Sequence, residues 1–208
     1  MPGALITFEG GEGAGKSTQL QLLAERLKAM GQSVCLTRQP GGTPHGRRIR
    51  ELILQPVDDD QLSARAELFL YLADRAQHVD TVIRPALARR EMVLCDRYTD
   101  STLAYQGYGR QLDVAELKLL NERATGALQP DLVFWLDLPP ELGRQRILGR
   151  QALDRLEMEA LSFHQRVRAG YATLAAEAPQ RWVHIDASQN PEQVSGQIWA
   201  VLEQRLLR

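Results

Sequence analysis

The sequence predicts an α/β protein built on a five-stranded parallel sheet with helices on both faces. Short apolar segments rich in Val, Leu and Ile alternate with longer amphipathic segments, as strands and helices do around a parallel sheet. The chain has 208 residues, which suits one hydrophobic core, and no internal repeat or linker divides it. We therefore expect a single domain over residues 1–208.

The predicted strands are short, apolar and bounded by polar residues, Gly or Pro. They are Ala4–Phe8, Val34–Thr37, Met92–Asp96, Leu132–Leu138 and Trp182–Ile185. The predicted helices are Ser17–Met30, Ala64–Leu87, Val114–Ala127, Pro140–Leu148, Leu156–Ala176 and Pro191–Leu207. In the first of these helices, Leu20, Leu23 and Leu27 recur at helical spacing, and Gly31 follows as a residue suited to a helix end.

Composition and charge narrow the classes of function that fit this chain. The net charge of -1 offers no basic excess for holding a nucleic acid polymer, and no stretch of about 18 apolar residues is present to span a membrane. The first strand begins almost at the N-terminus, which leaves no room for a signal peptide, so we expect a cytoplasmic protein. Cys35 and Cys95 leave a disulfide open, but isolated thiols in a reducing compartment are the favoured interpretation.

A glycine-rich motif follows the first predicted strand. Residues 10–17 read GGEGAGKS and fit G-x-x-x-x-G-K-[ST] at every fixed position. Glycines let successive backbone N–H groups turn toward a phosphate, while Lys16 reaches the β- and γ-phosphates and Ser17 ligates Mg²⁺. The motif predicts a P-loop NTPase-type three-layer fold that binds the phosphates of a nucleotide through Gly10, Gly11, Glu12, Gly13, Ala14, Gly15, Lys16, Ser17 and Thr18. On its own it does not distinguish a kinase from a switch or a motor.

Eight further segments decide between these classes. Together with the P-loop they resemble the bacterial thymidylate kinases over almost the whole chain, and Asp-Arg-Tyr followed by Ala-Tyr-Gln-Gly is the most specific combination. The segments are residues 8–10 (FEG), 37–43 (TRQPGGT), 49–52 (IREL), 74–78 (DRAQH), 96–98 (DRY), 104–110 (AYQGYGR), 130–132 (PDL) and 153–155 (LDR). The resemblance implies ATP- and Mg²⁺-dependent phosphorylation of dTMP to dTDP, for dTTP synthesis, by direct in-line transfer.

The resemblance also implies how the acceptor is held. Arg97 binds its phosphate, Asp96 helps to organise the metal shell, and Tyr105 packs against the sugar, where a ribose 2′-hydroxyl would clash. Tyr71 and Arg75 lie one helical turn apart and so share a face, from which they stack on the thymine and bond its edge. Gln106 reads the same edge together with Arg75 and Thr102. The implied acceptor residues are Gln39, Arg50, Tyr71, Arg75, Arg97, Thr102, Tyr105 and Gln106. Structural alternatives remain open: a surface ion pair for Asp96 and Arg97, and a solvated helix residue for Arg50.

A lid is expected at about residues 144–155, which contain four arginines. One family subtype places an Arg in the P-loop and another supplies it from the lid. Gly13 occupies the P-loop position here, so the resemblance assigns the chain to the lid-arginine subtype, with Arg150 as the closing residue and Gly149 as a flexible point. The implied catalytic residues are then Lys16, Arg97, Arg150 and Glu12, although a charged, solvated helix face is an alternative for the lid arginines.

Gln39 departs from the family pattern, since most bacterial relatives have Glu at this position, and its effect on rate and sugar binding stays open. Two other functions are considered: a kinase for another pyrimidine monophosphate, and a nucleotide-binding regulatory or structural protein with weak catalysis. The four histidines show no metal-ligand spacing and are interpreted as surface or supporting residues. The resemblance further implies a homodimer formed by helices packed side by side.

Overall fold

The computed structural model describes residues 3–57, 60–148 and 153–207. Within them, five parallel strands form one sheet in the order β2-β3-β1-β4-β5. The strands are β1 Ala4–Glu9, β2 Val34–Arg38, β3 Met92–Asp96, β4 Leu132–Asp137 and β5 Trp182–Asp186. The predicted α/β class and the five parallel strands are confirmed.

The helices of the described residues follow the expected alternation with strands. They are α1 Lys16–Ala29, α2 Pro44–Leu54, α3 Ala64–His78, α4 Arg84–Ala88, α5 Thr99–Thr102, α6 Val114–Thr125, α7 Pro140–Ile147, α8 Leu161–Glu177 and α9 Pro191–Leu206. Two wider π-helical turns continue α3 and α5, at Val79–Ile83 and Leu103–Gly109 respectively.

Helices cover both faces of the sheet because successive strand residues point to opposite sides. In β1, Ile6 and Phe8 pack in a core cluster with α1 and α9. Leu5 points the other way and packs with the turn Val79–Ile83. On that second face α3, α6 and α8 enclose a cluster around Trp135. The carboxyl ends of β1 and β3 therefore meet at the centre of one edge, where open α/β sheets bind their ligands.

Two predicted helices differ clearly from the structure, and one observed helix was not predicted. The predicted helix Ala64–Leu87 widens at Val79–Ile83, just before Pro85, which cannot donate a backbone hydrogen bond and would crowd a regular turn. Helix α2 was not predicted; it is started by Thr43, whose hydroxyl accepts from Gly46 N at 2.8 Å. Helix α8 begins at Leu161 rather than at Leu156.

A single capped turn precedes α8. The Asp154 carboxylate accepts hydrogen bonds from the backbone N–H groups of Leu156 and Glu157, at 2.9 Å each, and Glu157 Oε2 accepts from Asp154 N at 3.0 Å. This reciprocal pair is a helix-starting cap, but the turn ends before α8 begins at Leu161.

The two cysteines are free thiols on neighbouring strands, Cys35 half-buried and Cys95 buried. They are out of register, since Cys35 pairs with Val93 and Cys95 with Thr37. None of the helices in the described ranges is long and apolar enough to cross a membrane.

Candidate active site

The P-loop connects β1 to the start of α1. Gly10, Gly13 and Gly15 have φ of 138°, 72° and 85°, a region that glycine enters without a steric penalty. No side chain caps the N-terminus of α1, so its first N–H groups are available to an anion. Lys16 Nζ folds back to donate to Gly10 O at 3.1 Å and Gly11 O at 2.8 Å. Burial, and next the charge of Arg97, lower the pKa of Lys16.

The P-loop also packs against α7 so closely that Gly13 has no room for a side chain. A Cβ built on Gly13 would lie 2.5 Å from Gly143 O, and one on Gly143 would lie 2.3 Å from Glu12 O. An Arg at position 13 is therefore sterically excluded, which agrees with the expectation that a lid supplies the cation.

Ser17 and Asp96 meet at the floor of the phosphate-binding cavity. The Ser17 hydroxyl donates to Asp96 Oδ2 at 2.9 Å, and Asp96 Oδ1 is buried with no partner in the described residues. Hydroxyl and carboxylate oxygens are the ligands that Mg²⁺ prefers, and it usually keeps water and substrate phosphates as its other ligands. The described residues contain no cluster of three His, Cys, Asp or Glu side chains able to hold a metal by themselves. The pair thus fits a Mg²⁺ shared with a nucleotide.

Arg97 follows β3 in a left-handed conformation, with φ of 68°, which turns its side chain toward the P-loop. Its guanidinium donates to Gly10 O at 3.0 Å, to Glu12 Oε1 at 2.5 Å and to the Tyr105 hydroxyl at 2.9 Å. Burial opposes the charge on Glu12, but Arg97 and then Lys16 outweigh it and lower the pKa of Glu12 to about 2. A permanently charged Arg–Glu pair therefore stands between the P-loop and the cavity beside it.

Glu9 holds the turn that carries Arg97. Its carboxylate is fully buried and accepts from Tyr98 N at 2.8 Å, from Ser101 Oγ at 2.5 Å and from the Tyr171 hydroxyl at 3.0 Å. Burial, and then the charge of Asp100, raise the pKa of Glu9 to about 7. The end of β1 thus fixes the start of α5 and, through Tyr171, helix α8.

A second cavity adjoins the P-loop and contains all eight residues expected to bind the acceptor. Its lining includes Gln39, Arg50, Tyr71, Arg75, Arg97, Thr102, Tyr105 and Gln106. Tyr71 is half-buried and Arg50 Nη1 donates to Pro40 O at 3.2 Å. The P-loop cavity shares Glu12, Gln39, Arg50, Arg97 and Asp154 with it. The two cavities therefore meet around the Arg97–Glu12 pair.

Nearly all the hydrogen-bond donors of the Arg75 guanidinium are used within the protein. Its Nε donates to Gln39 Oε1 at 2.9 Å, its Nη1 to Thr102 Oγ1 at 2.7 Å and Asn121 Oδ1 at 2.6 Å, and its Nη2 to Tyr98 O at 3.0 Å. Four of the five N–H donors of a guanidinium are thus used within the described residues, which leaves one on Nη2 for a molecule in the cavity.

Gln39 connects Arg75 to a buried histidine. Since Arg75 can only donate, Gln39 must turn its carbonyl toward Arg75 and its amide N–H toward His78 Nδ1, 2.8 Å away. His78 then carries its proton on Nε2, which lies 2.6 Å from Thr37 Oγ1. Burial, and next the charge of Arg75, lower the pKa of His78 to about 4. His78 is completely buried, unlike His45 and His184, which are exposed as expected for surface residues.

The described arginines of the expected lid contact different parts of the site. Arg150 and Gly149 lie outside the described residues. Arg146 Nη1 donates to Gly13 O at 3.2 Å and to Ala187 O at 3.1 Å, and so packs across the P-loop. Arg155 lies on the acceptor side, where Nε donates to Ile53 O at 2.8 Å and Nη2 bonds Glu67. Arg155 is therefore a structural anchor of the segment rather than a phosphate contact in this conformation.

Sequence reasoning assigned no role to Glu9, Glu67 or His78, and it placed Arg146 in the expected lid without predicting its contacts. A signal for Glu67 was present, because Glu67, Tyr71 and Arg75 follow one another at intervals of four on α3 and share one face. Glu9 and His78 lie within the segments that carry the family resemblance, but no local pattern indicates their contacts, because their partners are distant in sequence.

Comparisons of this chain with a family model, with related sequences and with a solved structure all point to the same family. The family model described as "Thymidylate kinase" matches residues 8–198. A thymidylate kinase of Synechococcus sp. (strain JA-2-3B'a(2-13)) is 55% identical over 201 residues, covering 97% of this chain and 95% of the relative. One of Desulfovibrio desulfuricans is 54% identical over 210 residues, with 98% and 96% covered. The crystal structure of thymidylate kinase from Ehrlichia chaffeensis superposes with a TM-score of 0.79 at 33% identity, covering 97% of this chain and 100% of the other.

Proposed function

This chain belongs to the thymidylate kinase family and is an ATP- and Mg²⁺-dependent kinase that phosphorylates dTMP to dTDP, and we propose which residues carry out each step. One observation supports the assignment most strongly. The P-loop cavity and the second cavity adjoin, and they share Arg97 and Glu12 at their junction. Donor and acceptor phosphates bound in these cavities would face each other across that junction.

ATP binds with its phosphates in the P-loop. The backbone N–H groups at the start of α1 and the Lys16 ammonium bind the β- and γ-phosphates, and Lys16 leaves the loop carbonyls to do so. Ser17 and Asp96 would hold Mg²⁺, which would supply positive charge to the phosphates of ATP. Ser17 would contribute its hydroxyl oxygen, and Asp96 the buried Oδ1 that has no partner among the described residues.

dTMP binds in the second cavity. Tyr71 stacks on the thymine, which is worth roughly 1–3 kcal/mol for an aromatic–base contact. The remaining Nη2 hydrogen of Arg75 donates to the carbonyl at C4 of the base, Thr102 and Gln39 hold Arg75 in place, and Tyr105 packs against the deoxyribose. Arg97 binds the acceptor phosphate while Glu12 keeps the guanidinium at the junction, near the sugar. Arg50 adds a second cation to the same wall.

Phosphoryl transfer is direct and in line, and no covalent intermediate is needed. An oxygen of the acceptor phosphate forms a bond to the γ-phosphorus while the bond from that phosphorus to the β,γ-bridging oxygen breaks, and ADP leaves with the electron pair. Cations stabilise the charge that spreads over the transferred group. Lys16 and Arg97 supply two of these cations. Arg150 supplies a third from the lid, in keeping with the absence of space at Gly13, and lid closure excludes water and so suppresses ATP hydrolysis.

For the biological unit we propose one catalytic domain that acts in the cytoplasm on small molecules and forms a homodimer through helices packed side by side. The proposal is supported by large apolar side chains that are exposed on two helices packed against each other, Phe69 on α3 and Leu119 on α6.

A coupled assay of ADP formation tests the function. The purified chain is supplied with ATP and Mg²⁺, and dTMP is compared with dUMP, UMP, dCMP, thymidine and no acceptor. We expect rapid turnover with dTMP and little without an acceptor. Comparable turnover with UMP or dCMP would replace the thymidylate assignment by a broader monophosphate kinase. ADP formed equally without an acceptor would indicate an ATPase, and tight nucleotide binding without transfer would indicate a regulatory protein.

A further inference from the structure

Glu67 is a buried carboxylate for which the mechanism above gives no role. It lies on α3, one turn before Tyr71, and its side chain is 0% exposed. Arg155 pairs with it, Arg110 Nη2 lies 3.2 Å from Oε2, and Gln106 Nε2 donates to Oε1 at 2.8 Å. One carboxylate thus contacts a base-cavity residue and two arginines that lie outside the cavity lining.

The charges around Glu67 keep it ionised. Burial alone would raise the pKa of Glu67, but the hydrogen bonds from Arg155 and Gln106 and the charge of Arg110 lower it below its usual value. An ionised carboxylate has no proton to donate and can only accept hydrogen bonds. Gln106 must therefore present the NH₂ end of its amide to Glu67, and a flipped amide would set two acceptors against each other.

The other end of the Gln106 amide is consequently fixed as an acceptor in the base cavity. Gln106 lines this cavity, and no donor in the described residues bonds its Oε1. Arg75 lines the same cavity and offers the one N–H donor that is left on Nη2. The wall therefore presents a donor and an acceptor, which match the C4 carbonyl and the N3–H of thymine or uracil. Cytosine has an amino group and a bare N3 at these positions, so both contacts would be mismatched.

We propose that Glu67 is a positioning residue that makes this kinase select thymine and uracil over cytosine, by locking the amide of Gln106 with its carbonyl toward the base. The inference rests on the proposed binding of dTMP in this cavity. It adds a residue that does not touch the substrate and acts only through Gln106. Arg110 and Arg155 contribute by holding Glu67 in its ionised form. Arg155 is the last residue of the expected lid, so it connects Glu67 to that segment.

Substitution of Glu67 by Gln tests the proposal through selectivity. The neutral side chain can donate as well as accept, so Gln106 is released to present either end to the base. We expect the ratio of kcat/KM for dTMP to that for dCMP to fall by about tenfold, the size of one misaligned base-edge contact. Arg75 still opposes the cytosine amino group, so dCMP stays the poorer substrate. The ratio for dTMP over dUMP should not change, because the two bases share the edge that Gln106 reads.

Two further variants make the result decisive. Glu159→Gln is the matched control: Glu159 pairs with the same Arg110, at 2.5 Å from Nη1, but does not contact Gln106, so selectivity should stay at the parent value. Glu67→Asp keeps the buried charge but withdraws the carboxylate from Gln106. If Glu67→Gln does not fold, Glu67→Asp replaces it in the test. We expect Glu67→Asp, too, to lower the ratio of kcat/KM for dTMP to that for dCMP.

The possible outcomes separate this inference from the proposed function. A folded Glu67 variant that loses activity toward dTMP and dCMP alike would show a structural role only and overturn the inference. An equal fall of the ratio in Glu159→Gln would overturn it as well. If the parent protein itself fails to phosphorylate dTMP, the proposed function is wrong, and that result is obtained before any variant is compared.

Discussion

At the scale of single residues, Gln39 shows how one amide sets the proton position of a buried ring. A Glu at position 39 could not do the same, because a carboxylate accepts on both oxygens. Gln39 accepts from Arg75 and donates to His78, so three buried groups are satisfied without a second charge. Gln39 is thus paired with a neutral histidine ring.

Substitution of Gln39 by Glu should therefore raise the pKa of His78. A carboxylate facing Nδ1 favours the protonated ring, and an opposite charge at this distance shifts a pKa by about 1 to 3. The pKa should rise from about 4, measured by NMR titration of the ring carbon-bound protons. Gln39→Met, which adds no charge, is the control and should leave the ring neutral. An unchanged pKa in the Glu variant would mean that Gln39 does not set the ring's state.

Glu9 makes a prediction about stability and pH. Its pKa is raised from 4.5 in an unfolded chain to about 7, so the native state binds more protons than the unfolded state between these values. Stability contributed by this group is complete below pH 4.5 and is lost as the pH rises through 7. Between pH 5 and pH 8, the parent should lose on the order of 2 kcal/mol of unfolding free energy relative to Glu9→Gln. Urea unfolding at both pH values measures this, and a constant difference would contradict it.

At the scale of elements, strands and P-loop were predictable because their signals are local. Apolar runs bounded by polar residues identified all five strands, and the glycine pattern fixed the loop after β1. Helix α2 was missed although Ile49, Leu52 and Ile53 recur at helical spacing, because the segment is short and its first half holds Pro, Gly and two arginines; its start depends on Thr43 and Pro44. The π-helical turns Val79–Ile83 and Leu103–Gly109 could not be predicted either. A π-helical turn differs from an α-helical one by a single hydrogen-bond step, which leaves no clear sequence pattern.

The contact between the P-loop and α7 yields a prediction for this pair of elements. Gly13→Ala places a Cβ at a left-handed φ and 2.5 Å from Gly143 O, so the loop or the helix must move. We expect a loss of about 1–3 kcal/mol in unfolding free energy and a reduction of more than about tenfold in kcat/KM for ATP.

Gly196→Ala on α9 is the control, because its Cβ would meet nothing within 4 Å and the helix should gain about 0.5–1 kcal/mol. Equal stability and activity of Gly13→Ala and the parent would show that the loop tolerates a side chain. In that case the steric reason for a lid arginine would be lost.

At the scale of the whole molecule, the site is assembled from residues that only the fold brings together. The eight acceptor residues were expected from the family resemblance, and the structure brings all of them to one cavity. What could not be predicted are the supporting contacts, such as Glu9 with Tyr171, 162 residues apart, and Arg155 with Glu67, 88 apart. Pairs of this kind depend on the packing of α3, α8 and the sheet, and no local pattern encodes them.

The proposed homodimer is a prediction at the same scale. Sedimentation at micromolar concentration should give a mass twice the 23.3 kDa of the chain. Phe69→Asp puts a charge on the exposed face of α3 and should weaken association by at least about tenfold, since burying an unpaired charge costs more than about 1.4 kcal/mol. Met30→Asp changes an equally exposed apolar residue at the end of α1 and should not. A monomeric parent would refute the dimer.

The central claim, that this chain transfers the γ-phosphoryl group of ATP directly to dTMP, is tested most directly by measuring the products. ATP labelled with ³²P at the γ-phosphate, Mg²⁺ and dTMP are incubated with the protein, and dTDP, ADP and inorganic phosphate are separated and quantified. We predict one labelled dTDP for each ADP, almost no free phosphate, and loss of both products in Lys16→Ala. Labelled phosphate in place of dTDP, or dTDP formation that survives Lys16→Ala, would contradict the claim.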